Sequence, residues 1–212
     1  MTQSVLSDNQ ILKEIQNTNI FIHPFNPKNL SNSSYDVTLG LNYYRAQKSP
    51  KLFLPWDEES VYEYWGHPQV ADLIDTEELS EKYKLPKGSG VILLEPGELI
   101  LAHTQEFIGG LDHITTMMKA RSTMGRIGIS VCKDAGWGDV GYINRWTMEI
   151  SNFSQSTIPL VVGMRIAQIV FFYTGKVMNT YHKKGAYQTE CETTDEIIRK
   201  WETYQMLPKF RF

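Results

Sequence analysis

"VILLEPGELILAHT", residues 91–104, is two runs of β-forming apolar residues parted by Pro96 and Gly97. Proline presets one central position of a tight turn and glycine tolerates the other, so the stretch predicts a β-hairpin. Working outward, "IGISVC", "WTMEISN", "IPLVV" and "RIAQIVFFY" follow, each short and separated by Gly, Asn, Ser or Pro. Upstream, "SYDVTLGLNYY" is another β-type run. Short strands at this spacing suggest a sandwich, a jelly roll or a distorted barrel. No alternation of strand and helix supports a parallel α/β sheet.

Two helical stretches frame the strands. "LSDNQILKEIQ" offers a capping box in Ser7 and Gln10 and places Ile11, Leu12 and Ile15 on one face. "TTDEIIRKW" fits a capped amphipathic helix with Thr193, Glu196, Ile197, Ile198 and Trp201. Residues 47–90 are polar and mixed, and read as an insertion that is in part helical. The expected organisation is one mainly β domain over 1–188, with that insertion at about 47–90, and a helical C-terminal extension over 189–212.

A chain of 212 residues, 42% hydrophobic and 21% charged, can bury a core without disulfides or metals. The net charge of −3 supplies no global field for nucleic acid, so an anionic ligand needs a local basic cluster. Cys132 and Cys191 lie far apart and form no paired motif, which reads as a reducing, cytoplasmic setting. The start lacks a signal-peptide pattern, and runs such as "IAQIVFFY" are too short to cross a bilayer, so no membrane association is expected.

The residues with chemical potential gather in the middle of the chain. "RSTMGRIG" sets Arg121, Ser122 and Arg126 within six residues. Guanidinium groups suit phosphate oxygens because they are planar, permanently charged and fork-shaped. The segment is not a Walker loop, and paired arginines also occur as plain surface charge. In "DAGWGDVGYINRWTMEI", glycines flank Asp139 and allow close backbone approach to a ligand. Period-2 alternation then puts Arg145, Thr147 and Glu149 on one strand face and Trp146 and Met148 on the other. A glutamate among Trp, Met, Ile and Phe invites a raised pKa, useful in acid–base chemistry. The same residues allow a second arrangement, Glu149 paired with Arg145 at a strand edge. Trp56, Trp65, His103 and His113 read as packing, strand or loop residues, and Cys132 as a buried thiol.

Taken together these motifs resemble the dCTP deaminase branch of the dUTPase-like superfamily. "SYDVTLG" is similar to its S-x-D-x-x-L-G strand, and "LLEPGELILAHTQEF" to its L-x-P-G-E-x-x-L-A-x-T-x-E segment. "RSTMGRIG" resembles its R-S-S-x-x-R-x-G motif. Asp139, Gly141 and Glu149 fit D-x-G-[WYF] followed by the catalytic strand, and "GMRIAQIVFF" resembles the strand after it. The order and spacing of several motifs are harder to meet by chance than any one of them.

The resemblance implies a mainly β, dUTPase-like distorted jelly roll or barrel of the β-clip kind, assembled as a homotrimer with sites between subunits. It implies a deoxynucleoside triphosphate, dCTP or dUTP, with Mg2+ held through the substrate phosphates, and no zinc. Glu149 would be the general acid–base for the water attacking C4 of cytosine, with Ser122 and Arg126 around that water and Arg121 on phosphate. Thr123 would join the substrate contacts, and the backbone at Ala135 would crowd the base and help eject ammonia. Backbone groups of Thr147 and Met148 would read the base edge, and Asp139 would sit at the sugar. Zinc deaminases carry H-x-E and P-C-x-x-C signatures, and the five histidines and two cysteines here form neither.

The superfamily supports two reactions, deamination of dCTP and hydrolysis of dUTP to dUMP and pyrophosphate. "AGWGD" resembles the version found in bifunctional members, and Gln168 stands where those members carry glutamine. Arg121, Ser122, Arg126 and Glu149 favour deamination, with dUTP hydrolysis through Asp139 beside it. A diphosphohydrolase alone, or a nucleotide-binding regulatory module without turnover, are the alternatives. The lid departs from the family pattern. Tyr181 and Tyr187 fit its tyrosines, and Lys184 and Gln188 are the nearest candidates for its lysine and glutamine. Strict spacing puts Ala186 and Glu190 there instead, and a helix replaces the usual tail. Gly138 stands where the family has an apolar residue.

Overall fold

Ser7 opens the first helix, α1 (Asp8–Gln16): its hydroxyl accepts from Gln10 N, and Gln10 Oε1 accepts from Ser7 N at 2.9 Å. The computed structural model describes residues 4–48, 52–133, 135–181, 185, 187 and 193–210. The face of α1 differs from the expectation in one residue. Ile11 is buried and Ile15 packs against the core, but Leu12 is exposed and Glu14 takes the inward place. The Glu14 carboxylate accepts from Asn19 Nδ2 at 2.7 Å and Tyr173 OH at 2.8 Å. Burial pushes this carboxyl up, yet the hydrogen bonds outweigh burial and hold it below its ordinary range.

The strands that follow are β1 (Ile20–His23), β2 (Leu30–Ser31) and β3 (Ser34–Arg45). The stretch 47–90 contributes α2 (Glu58–Trp65), β4 (Gln69–Val70), β5 (Asp72–Leu73) and α3 (Glu77–Tyr83). Then come β6 (Gly90–Leu94), β7 (Leu99–Gly110), β8 (Ile114–Ala120), α4 (Ser122–Arg126), β9 (Ile129–Ser130) and β10 (Trp137–Gly138). The chain continues through β11 (Ile143–Asn152), β12 (Ile158–Val161), β13 (Arg165–Tyr173) and α5 (Thr194–Lys200).

The larger sheet runs β10-β8-β13-β3-β7-β11-β9, with β1 added to β7 and β2 and β4 to β3; the smaller runs β12-β6-β5. All pairings are antiparallel, and the large sheet curls into a half-barrel, the mainly β, dUTPase-like class expected. Tyr35, Val37 and Leu39 of β3, Ile100 and Ala102 of β7, Met148 and Ile150 of β11 and Ile169 and Phe171 of β13 fill its concavity, all fully buried. Each large apolar side chain so buried contributes about 1.5–3 kcal/mol.

The predicted hairpin at Pro96-Gly97 is a turn but not a hairpin. Gly97 takes φ +78°, the left-handed value the sequence anticipates, and Glu98 N donates to Glu95 O at 3.1 Å. The strands it joins enter different sheets: β6 pairs with β12 and β5, β7 with β1, β3 and β11. Asn152, at the end of β11, makes this possible. Its O accepts from Gly97 N at 2.8 Å, and its Nδ2 donates to Leu94 O at 2.8 Å, so the turn is tied to a third segment.

The outer face of the large sheet is also covered. Tyr44 and Leu101 pack against Val61 and Trp65 of α2 and against Met206, which lies in a 3-10 turn over Thr203–Met206. Further along, Phe107 and Ile143 pack against Ile197 of α5. Thr193 caps α5 as expected, its hydroxyl accepting from Glu196 N at 3.3 Å. Among the described residues no helix is long and apolar enough to cross a membrane.

Candidate active site

β11 carries the predicted alternation. Trp146, Met148 and Ile150 point into the core, while Arg145, Thr147 and Glu149 stand on the other face. Trp146 is the anchor: its Nε1 donates to Ile108 O at 2.9 Å, and its backbone N donates to Thr104 Oγ1 at 2.9 Å, where the register slips between Arg145 and Thr147. A Cβ at Gly138 would stand 2.3 Å from Thr116 Oγ1 and 2.5 Å from Trp146 Cη2. The glycine at that position is therefore the counterpart of the tryptophan.

Register sets the neighbours on the outer face: Glu149 lies across from Leu101, Thr147 from His103 and Arg145 from Phe107. His103 is buried, its Nδ1 2.8 Å from Thr104 O and its Nε2 3.3 Å from Asn42 N. Burial pushes its pKa down to about 4, so it is a neutral structural ring, as expected, with Nδ1–H donating and Nε2 accepting. The Trp201 ring rests 4.7 Å from it.

A cavity of about 590 Å³ opens over this face, within the usual range of small-molecule sites. Six of the predicted residues line it: Ala135, Asp139, Thr147, Glu149, Tyr181 and Tyr187. Tyr181 and Tyr187 are tied to the strand: Tyr187 N donates to Tyr181 OH at 3.1 Å, and Asn144 Nδ2 donates to Tyr187 O at 2.9 Å. Tyr142, partly buried, meets the Tyr181 ring edge-on at 5.1 Å, and desolvation pushes its phenol up.

Glu149 carries the sharpest signal. Its Oε2 is buried with no hydrogen-bond partner among the described residues. Burial raises its pKa, opposed by its own backbone N–H and by the nearby positive charge of Lys133. The alternative pairing with Arg145 does not form. Arg145 lies instead over the Phe107 ring at 5.0 Å and the Trp201 ring at 4.7 Å, with its own Nε buried and unpartnered.

The remaining predicted residues lie elsewhere on the chain. Ser122, Thr123 and Arg126 are exposed on α4 and do not line the cavity. Arg121, capping α4, forms an ion pair with Asp36, and Arg165 Nη1 reaches the same Oδ2 at 3.3 Å. Gln168 sits in register with Asp36 on one side and Lys119 on the other. The Met148 side chain belongs to the core, so only its backbone is available to a ligand. Lys184 and Gln188, with Ala186, Glu190 and Cys191, lie outside the described residues. Cys132 is buried, its Sγ donating to Met118 O at 3.5 Å.

β11 keeps one edge open. β7 pairs along one side of the strand, but β9 meets the other only at Ser151 and Asn152. Between Asn144 and Ile150 that side carries no strand pairing among the described residues. Sequence reasoning missed Lys133 and the walls formed by Trp65 and Trp201, all of which line the cavity. Lys133 had a signal, a lone cation two residues before Ala135; Trp65 and Trp201 had none that distinguished them from packing.

Fold and site together define a mainly β, dUTPase-like protein that holds a buried, unpartnered carboxyl at a ligand-sized cavity. A family model described as dCTP deaminase-like matches residues 5–174, and the chain belongs to that family. It is 28% identical over 192 residues to a protein of Methanosphaerula palustris named "dCTP deaminase, dUMP-forming", covering 90% of this chain and 93% of that one. It is 32% identical over 170 residues to a protein of the same name from Acidothermus cellulolyticus, covering 80% of each. The crystal structure of 2'-deoxycytidine 5'-triphosphate deaminase from Agrobacterium tumefaciens superposes with a TM-score of 0.57 at 19% identity. That likeness spans 82% of this chain and 50% of the other and bears on the fold alone.

Proposed function

We propose that this chain deaminates dCTP hydrolytically, with Glu149 as general acid–base. The observation that carries this is the Glu149 carboxyl, buried at the cavity with Oε2 unpartnered and its pKa raised by burial. Raising the pKa of a carboxylate makes it a stronger base, suited to take a proton from water and return it within the same turnover. Water adds across C4=N3: its oxygen bonds to C4 while one proton passes through Glu149 to N3; Glu149 then carries the proton of the new hydroxyl to the 4-amino group, the C4–N4 bond breaks, ammonia leaves and C4=O forms. The names of the two relatives support the substrate. The missing H-x-E and C-x-x-C signatures support a zinc-free route in which the carboxylate activates the water.

Hydrolysis of the resulting dUTP to dUMP and pyrophosphate is the second activity we propose. Asp139 lines the same cavity as Glu149, and the relatives' names specify dUMP as product. Asp139 would orient a second water against the α-phosphorus, with pyrophosphate leaving. Magnesium would travel with the triphosphate and neutralise its charge. The donors near Arg121 fit that ion only through the nucleotide, because Asp36 offers one unpartnered oxygen, Oδ1, and an octahedral ion needs more. We further propose a homotrimer in which α4 of a neighbouring copy completes the cavity, since Ser122 and Arg126 are exposed and stand outside the cavity of their own chain.

The test is incubation with magnesium and dCTP, followed by chromatography of the products. Ammonia with dUMP supports both steps, and ammonia with dUTP supports deamination alone. dCTP returned intact under saturating conditions overturns the proposal and leaves binding without turnover.

A further inference from the structure

Five buried side-chain polar atoms lack a partner among the described residues, and three of them, Glu149 Oε2, Arg145 Nε and Trp65 Nε1, belong to side chains lining the one cavity. Buried polar atoms without partners are costly, and their concentration at a cavity marks a place that a ligand completes. Glu149 and Arg145 already stand on β11. Trp65 comes from α2 and is more than nine-tenths buried. It packs against Leu101, the cross-strand neighbour of Glu149, together with Met206. Beside the Glu149 carboxyl the cavity is therefore walled by Phe53, Trp65 and Met206, and this compartment offers the unpartnered Trp65 indole N–H and the Gln205 side chain for polar recognition.

The chemistry of the ring selects what can enter that compartment. N1 of the pyrimidine carries the sugar. O2 and N3 form the edge that the open side of β11 can read. C4 is the atom attacked beside Glu149. The ring position adjacent to C4 that remains free is C5. We infer that the Trp65 compartment receives a substituent on C5 of the cytosine, one carbon long and ending in a hydrogen-bond acceptor such as a hydroxyl. This rests on the deaminase reading above and extends it to a substrate class, 5-substituted deoxycytidine triphosphates. The Trp65 indole donates to the substituent oxygen, and the carbon packs on Leu101 and Met206. Trp65 is thus a specificity residue and takes no part in proton transfer.

The experiment compares dCTP, 5-methyl-dCTP and 5-hydroxymethyl-dCTP on the wild-type protein and on Trp65→Phe, which keeps a ring and removes the N–H. The readout is kcat/KM for ammonia release. Wild type is expected to turn over the hydroxymethyl substrate at least as well as the methyl one. Trp65→Phe is expected to lower the hydroxymethyl-to-methyl ratio about ten-fold, the loss of one buried hydrogen bond. Rejection of both 5-substituted substrates by the wild type overturns the inference, and so does a variant that leaves the ratio unchanged. If Trp65→Phe does not fold, the ratio of dissociation constants of the three nucleotides for wild type decides, and no preference for hydroxymethyl over methyl overturns it. If no nucleotide yields ammonia, the deaminase reading fails by itself, and the same binding ratio still judges the compartment.

Discussion

At the scale of single residues, burial ties the ionisation of Glu149 to the stability of the fold. A carboxyl whose pKa rises on folding binds more protons folded than unfolded, so the stability it contributes falls as pH rises above its ordinary 4.5. Glu149→Gln keeps the shape and removes the ionisation. It is expected to melt higher than wild type at pH 8, by about 2–4 °C for each kcal/mol relieved. The difference should close on acidification toward pH 4.5, as seen in paired thermal melts across pH. The same variant is expected to lose at least about 100-fold in ammonia release while binding nucleotide within a few-fold; undiminished turnover would remove Glu149 from its role. Gly138 makes a second case. Gly138→Ala drives a methyl group into Thr116 and Trp146, and overpacking of this kind costs about 1–3 kcal/mol. A denaturant titration that finds no loss would show that Trp146 is free to move.

Among the elements, β11 was the most legible, and for a physical reason. Its alternation of Arg145, Thr147 and Glu149 with Trp146, Met148 and Ile150 is a local pattern that only a one-sided strand satisfies. The capped helices were legible for the same reason, since Ser7 with Gln10 and Thr193 with Glu196 act within one turn. Pro96-Gly97 shows the limit. The turn itself is local, but where its flanking strands pair is decided by Asn152, more than fifty residues on. Likewise nothing within 47–90 announces that α2 will cover the sheet face bearing Glu149, because apolar residues on a short helix do not name their partner. Glu14 displaced Leu12 through partners as distant as Tyr173. The docking of α5 can be tested directly. Ile197, packed against Phe107 and Ile143, holds this helix beside the cavity. Ile197→Asp is expected to release it, raising KM for nucleotide about ten-fold or more and exposing the C-terminal segment to limited proteolysis, while the main melting transition persists. An unchanged KM would show that α5 contributes only to stability.

For the whole molecule, the decisive fact is that the predicted residues divide between two places. Glu149 and Asp139 border the cavity; Ser122 and Arg126 are exposed on α4, and Arg121 is held by Asp36. If copies complete one another, Glu149→Gln and Arg126→Ala, each inactive alone, should regain activity when mixed and allowed to exchange subunits. In a trimer assembled at random, a fraction of the interfaces pairs an intact Glu149 with an intact Arg126. Activity that stays at the level of the separate variants would place the whole site within one chain. The open side of β11 has an effect of another kind. Unpaired peptide groups along a strand are a template on which further chains can add, and natural sheets usually cover or charge such rims. Among the described residues, Asn144 on this rim donates to Tyr187 O. Solutions of the ligand-free protein should therefore cloud on concentration sooner than solutions saturated with nucleotide, so colloidal behaviour becomes a gauge of how completely that border is occupied.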